Sequence, residues 1–194
     1  MATDSSAPIH FYRRNEPYGE FSNFYQAPIQ LDGFTWPTTE HYFQAQKFVS
    51  DDYHYKRVLQ LATPREAFSY VRTYKSAVRS DWSGVKDGVM LKACMAKFEQ
   101  HPKLKSLLLS TGDRVLVEHT TNDSYWGDGG DGTGRNQLGI TLMEVRKALR
   151  EPEQQATDHA LVMGHHIHAQ KLYLAVMKRI RRNDPEFISV VVYD

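Results

Sequence analysis

Trp36-Pro37-Thr38-Thr39-Glu40-His41-Tyr42-Phe43-Gln44-Ala45-Gln46-Lys47-Phe48 decides how the rest of the chain is read. Proline and threonine open the stretch as they open capped helices, and no further breaker interrupts it. At about 100° per residue, Glu40, Gln44, Lys47 and Asp51 fall on one narrow stripe, with His41, Tyr42, Ala45, Phe48 and Val49 on the other side. The period is helical. On pattern alone this is an amphipathic helix with a solvated polar face. The functional alternative is that the stripe lines a cleft, with the Lys47 amine leaning back towards Glu40.

Further helical patterns cover residues 52–61, 84–100, 102–110 and 138–150. Another opens at Thr63-Pro64-Arg65-Glu66, where Thr63 can cap, Pro64 fits the first turn and Glu66 closes a capping box. Strand-like runs occupy residues 9–12, 27–31 and 114–118 and end in turn signals such as Asp32-Gly33. The expected fold is therefore α+β and mainly helical: one compact domain over residues 9–150 with a small β component. A polar, proline-containing connector at 151–156 leads into a C-terminal extension, 151–194, with a helix over 158–182 and a strand over 187–193.

Charge is nearly balanced, 24 Lys+Arg against 23 Asp+Glu, which excludes a protein held to nucleic acid chiefly by bulk positive charge. A single cysteine, Cys94, excludes an internal disulfide framework and a cysteine-rich zinc site; in MLKACMAKF it reads as a buried small apolar side chain. The start, MATDSSAP, carries no secretory signal pattern and no run is long enough for a membrane span, so a soluble intracellular protein is expected, cytoplasmic or nuclear. Of 23 aromatic residues, 17 lie in residues 1–82, which fits an aromatic core, a ring-walled pocket for a flat base, or both. His165 and His168 lie one turn apart with no carboxylate near them, so no metal is expected.

Six of the twelve glycines fall between Gly127 and Gly139, so the backbone there must turn left-handed or approach something closely. Gly127, Gly129 and Gly132 match GxGxxG, but polar residues separate the loop from the preceding strand, and the dinucleotide fingerprint is rejected. Asp123, Asp128 and Asp131 lack the alternation of a calcium loop. What remains is a loop that approaches a phosphate or sugar and delivers it to a helix N-terminus, with Asp128 free between glycines to act as a catalytic carboxylate.

Phe21-Ser22-Asn23-Phe24, Trp36 to Phe48, Tyr125-Trp126-Gly127-Asp128-Gly129 and Gly134-Arg135-Asn136-Gln137-Leu138-Gly139 together resemble the NADAR family, also called YbiA-like. The resemblance spans roughly residues 9–150 and leaves the extension outside. It implies a compact, mainly helical α+β fold and N-glycosidase activity without a cofactor. The substrate classes it implies are ribosylamino-pyrimidine phosphates of riboflavin biosynthesis and ADP-ribose on guanine, the latter in DNA or RNA. It places functional positions on Asn23, Glu40, Lys47, Trp126, Asp128 and Asn136.

Both substrate classes share one bond, ribose C1 to an exocyclic amine. Cleavage by water needs an acid–base pair, for which Glu40 and Asp128 are the candidates. Alternatively the ring-opened imine passes to Lys47 as a Schiff base; burial would have to lower its pKa, and an ionised Glu40 would oppose that. Glu40 is accordingly favoured as the proton shuttle. Trp126 and Phe21 are expected to stack on base or sugar, and Asn23 and Asn136 to bond ribose hydroxyls. Arg14, Arg79 and Arg135 are candidates for phosphate. Ser22, Trp36, Gly127 and Gly129 complete the expected substrate-binding set. The cluster Lys178, Arg179, Arg181 and Arg182 suits a helix end or added phosphate contacts to a polynucleotide. A module that binds ADP-ribose without cleaving it is the non-enzyme alternative.

Overall fold

The structure is a computed structural model and describes residues 6–150. The helix and strand expected within 151–194, the histidines there and the basic cluster lie outside the described residues.

The fold is α+β and mainly helical. In chain order it runs β1 (Ile9–Phe11), β2 (Ile29–Leu31), β3 (Phe34–Trp36), α1 (Thr39–Ala45), α2 (Asp52–Leu59), α3 (Pro64–Thr73), α4 (Trp82–Gln100), α5 (Pro102–Ser110), β4 (Leu116–Glu118) and α6 (137–150). β1 and β4 pair in parallel with Ile9 opposite Leu116 and Phe11 opposite Glu118. β2 and β3 form an antiparallel hairpin with Ile29 opposite Trp36. Asp32 and Gly33 turn that hairpin with φ of 52° and 82°. Positive φ at both central residues gives the twist that a two-residue hairpin needs. β3 is the one strand that the sequence pattern does not announce.

Local chemistry explains the helix starts. Thr38 caps α1, its Oγ1 accepting from the His41 N–H at 3.3 Å. Asp51 caps α2 by accepting from the His54 N–H at 3.1 Å. Thr63 caps α3 with Pro64 in the first turn, but Glu66 reaches back to the N–H of Ala62 at 2.9 Å, one residue earlier than the expected capping box.

Two apolar clusters hold the described part together. One gathers Ile9, Phe11, Phe21, Phe98, Leu116 and Leu142 about β1, β4, α4 and α6; the other gathers Trp36, Tyr42, Phe48, Val58 and Ala67 about the hairpin and α1–α3. α1 is in contact with α2, α3 and α4 and is buried on every side, including the polar stripe. Its polar face is therefore not solvated. Phe21 and Trp36 are each 0% exposed and belong to these clusters. The Trp36 indole N–H donates to the Leu31 carbonyl at 3.0 Å. Neither ring has a face open to a substrate, which corrects their expected stacking and binding roles. Cys94 is buried, as the sequence suggests.

Candidate active site

The site starts from α1. Glu40 sits in its first turn, 6% exposed, with its backbone N–H on the Asn23 carbonyl at 3.2 Å. One turn on, Gln44 donates from Nε2 to Glu40 Oε1 at 2.6 Å and accepts from Lys47 Nζ on its own Oε1 at 2.7 Å. Glu40 and Lys47 are thus joined through one amide whose orientation the two bonds fix. Burial pushes the Glu40 carboxyl up to about 7; the Gln44 bond and Lys47 pull against that shift, and Asp123 adds to it. Lys47 moves the other way: burial lowers it, Glu40 opposes, and Lys86 lowers it further. Both groups shift towards their neutral forms, which eases the conflict that the sequence raised for a nucleophilic lysine.

Aromatic rings wall the lysine. Its Nζ lies 5.3 Å from the ring centroids of both Phe43 and Trp82. Phe43 in turn meets Trp82 at 4.9 Å and Trp126 at 5.3 Å, edge on. The Trp126 contact is where the glycine loop reaches α1. Asn23 closes another side: its amide accepts from Thr39 Oγ1 at 3.1 Å and donates to Met90 Sδ at 3.3 Å. Ser22 is also buried and accepts from the Phe24 N–H.

The loop is tightly built. Its second limb runs back along its first, with the N–H groups of Asn136, Gln137 and Leu138 donating to the carbonyls of Gly127, Tyr125 and Trp126 at 2.9–3.0 Å. These amides at the start of α6 are consequently occupied, and the expected delivery of an anion to that helix N-terminus is not supported. Gly127 is required because a Cβ there would lie 2.6 Å from Thr120 Cγ2 and 2.8 Å from the Glu118 carbonyl oxygen. Gly129 adopts φ 74°. Asn136 accepts from the Glu118 N–H at 2.9 Å and donates to the Leu116 carbonyl at 2.8 Å. Its side chain ties the loop to β4 instead of facing a ribose.

Asp128 is likewise committed to the loop. It accepts from His119 Nδ1 at 2.7 Å, the Gly130 N–H at 2.8 Å and the Thr120 N–H at 3.1 Å. Burial alone would raise its pKa, but these bonds outweigh burial and hold the carboxyl below its usual range. An anion so fixed makes a poor proton donor. The acid that the sequence missed is Glu118, at the end of β4. Burial pushes it up to about 8, with Asp123, Glu40 and Asp128 adding to the shift. Glu118, unlike Asp128, is thus a carboxyl whose surroundings favour its neutral form. The other missed residues are Trp82, Lys86 and Met90, which recur every four residues along α4, a stripe that a helical count could have found.

Of the arginines, Arg79 forms a two-pronged pair with Asp81, and its backbone N–H holds the Lys47 carbonyl at 2.9 Å. Its guanidinium is thus engaged, contrary to the expected phosphate role. Arg14 is exposed, and Arg135 lies 5.3 Å from the Tyr125 ring centroid. Among the described residues, no group of three His, Cys, Asp or Glu side chains is placed to hold a metal ion, and no helix is long and apolar enough to cross a membrane.

Fold and site together define a helical α+β domain whose buried Glu40–Lys47 pair is joined through Gln44 and whose glycine loop meets α1 through Trp126 on Phe43. The chain belongs to the NADAR domain family, which it matches over residues 10–150. It is 51% identical over 141 residues to the N-glycosidase YbiA of Escherichia coli, covering 73% of this chain and 88% of that protein. A riboflavin biosynthesis protein of Vibrio vulnificus is 45% identical over 145 residues, 74% of this chain and 39% of the relative. The NMR structure of the E. coli protein YbiA superposes with a TM-score of 0.72 at 48% identity, covering 77% of this chain and 88% of that one.

Proposed function

We propose that residues 9–150 form an N-glycosidase domain that hydrolyses the bond between ribose C1 and an exocyclic base amine. The observation that carries this reading is the buried Glu40–Gln44–Lys47 relay. A carboxyl with a value of about 7 is half protonated at neutral pH, so Glu40 suits both giving and taking a proton. Glu118, higher still, is the candidate donor to the leaving nitrogen.

In the imine route the ribose ring opens, breaking its C1–O4 bond as a C1=N bond forms to the base amine. Lys47 adds to C1, the base amine leaves with a proton from Glu118, and a C1=N bond to Lys47 remains. Water activated by Glu40 then releases the sugar aldehyde and restores the lysine. The hydrogen-bond chain that ties Lys47 to Glu40, with burial lowering the lysine, supports this route beside direct attack by water. Trp126 and Asn23 border the site and are the proposed contacts to base and sugar.

Two leaving groups fit the same bond. ADP-ribose on guanine, in DNA or RNA, follows from the family resemblance and would place the protein inside the cell. A ribosylamino-pyrimidine phosphate is the second reading, favoured by the riboflavin biosynthesis names of relatives from Vibrio vulnificus and Zea mays. The test is to incubate the full chain separately with ADP-ribosylated guanosine and with a ribosylamino-pyrimidine phosphate, following free base by chromatography. Release from one and not the other assigns the leaving group; release from neither, with ADP-ribose still bound, supports a binding module instead.

A further inference from the structure

Lys86 follows Trp82 by one turn of α4, and its Nζ sits 3.2 Å from the ring centroid of Tyr125, directly over one face. The Arg135 guanidinium lies 5.3 Å from the same centroid. Tyr125 is fixed at both ends: its hydroxyl donates to the Asp87 carboxylate at 2.8 Å, and its backbone N–H donates to Asp123 Oδ1 at 2.7 Å. One immobile ring therefore gathers two cations from distant parts of the chain, α4 and the second limb of the loop.

A ring face holds a cation without cancelling its charge, unlike a carboxylate. Among the described residues neither Lys86 nor Arg135 forms an ion pair; the Asp87 carboxylate keeps its charge while it accepts from the phenol. Lys86 is also close enough to Lys47 for its charge to bear on it. Lys86 and Arg135, gathered on one ring, repel each other, and an anion between them relieves that repulsion. A guanidinium and an ammonium together match phosphoryl oxygens.

We propose that Lys86 and Arg135, presented on Tyr125, form the subsite for the phosphoryl group on the ribose 5′-carbon of the substrate, next to the reaction centre at Lys47. The assignment rests on the N-glycosidase reading for its sugar and extends it to the phosphate, which a monoester and a diphosphate substrate share.

The test is calorimetric titration of the full chain with ribose 5-phosphate, ribose and ADP-ribose, using wild type, Lys86→Gln, Arg135→Gln and the double variant. The wild type should prefer ribose 5-phosphate over ribose by about tenfold or more, roughly 1.4 kcal/mol. Each single variant should lose most of that preference and the double variant all of it, with ribose binding and melting temperature unchanged. In turnover, Arg135→Gln should raise KM while kcat holds; Lys86→Gln should raise KM and also lower kcat, because Lys86 helps hold Lys47 below its ordinary value. ADP-ribose binding that depends on the two cations more steeply than ribose 5-phosphate binding assigns the subsite to a diphosphate. Absence of a phosphate preference in the wild type, or its survival in the double variant, overturns the subsite even if the base is cleaved. Cation-dependent binding of ribose 5-phosphate without any cleavage upholds the subsite and sinks the enzyme reading.

Discussion

Replacing Glu40 by glutamine should make the protein more stable at alkaline pH while removing its activity. The variant keeps the oxygen that accepts from Gln44 Nε2, so its packing is preserved. The folded Glu40 carboxyl sits at about 7 against an ordinary value of 4.5, so the folded state holds the proton more tightly than the unfolded one. The stability from that protonation is fully present below pH 4.5 and drains away as pH rises through the folded value near 7. At about 1.4 kcal/mol per pH unit, wild type has lost roughly 1 kcal/mol by pH 5.5 and roughly 3 kcal/mol by pH 8. Glutamine does not ionise; Glu118 titrates in both proteins, and without the Glu40 charge its value is raised less in the variant, which works in the same direction. The advantage of Glu40→Gln over wild type should therefore grow by about 2 kcal/mol between those pH values, or roughly 4–8 °C in melting temperature. Thermal unfolding of both proteins across that range, monitored by circular dichroism, measures it. Parallel melting curves at every pH would refute the claim that Glu40 is a buried acid with a raised value.

Borohydride added during turnover should trap a sugar adduct on Lys47, seen by peptide mass spectrometry, and Lys47→Ala retaining full turnover rules out the imine route. Asp128→Asn should cost roughly 1–3 kcal/mol at pH 7 because three hydrogen bonds to a carboxylate are weakened. Since the folded Asp128 value is depressed, that penalty should shrink as pH falls through it below 3.8; a urea midpoint difference equal at pH 7 and pH 3 contradicts the assignment. Gly88→Ala should stabilise α4 by up to about 1 kcal/mol, since a Cβ there meets nothing within 4 Å. Gly139→Ala should unfold or severely weaken the protein, because the added carbon would run into the Leu116 carbonyl and the Asn136 amide; wild-type chemical stability there would overturn the close packing of α6 on β4.

The starts of α1 and α3 were legible because capping is local: Thr38 and Thr63 each act within three residues of themselves, whereas Asp51, expected on the stripe of the Glu40 helix, lies beyond the end of α1 and caps α2. The return strand Phe34–Trp36 was not, although Asp32-Gly33 was visible as a turn, because three residues give too short an alternation to separate a strand from a loop. Glu40 and Lys47 stood out by spacing, yet the spacing could not say whether their stripe faced water; α4 packed against α1 decides that. Asp128 looked available between glycines, but its captor His119 lies nine residues upstream and comes to it only through the fold of the loop. Phe21 and Trp36 resembled pocket rings because a buried aromatic and a stacking one are the same letter. Glu118 was hidden by its apolar neighbours Leu116 and Val117, which read as an ordinary strand.

The most direct measurement is the rate at which wild type and Glu40→Gln release free base from whichever glycosylamine the wild type accepts, with both proteins confirmed folded. Wild type should cleave it, and the variant should be slower by about 100-fold or more, as expected for loss of a general acid–base. Equal rates in the two proteins would remove Glu40 from the chemistry and contradict the account at its centre.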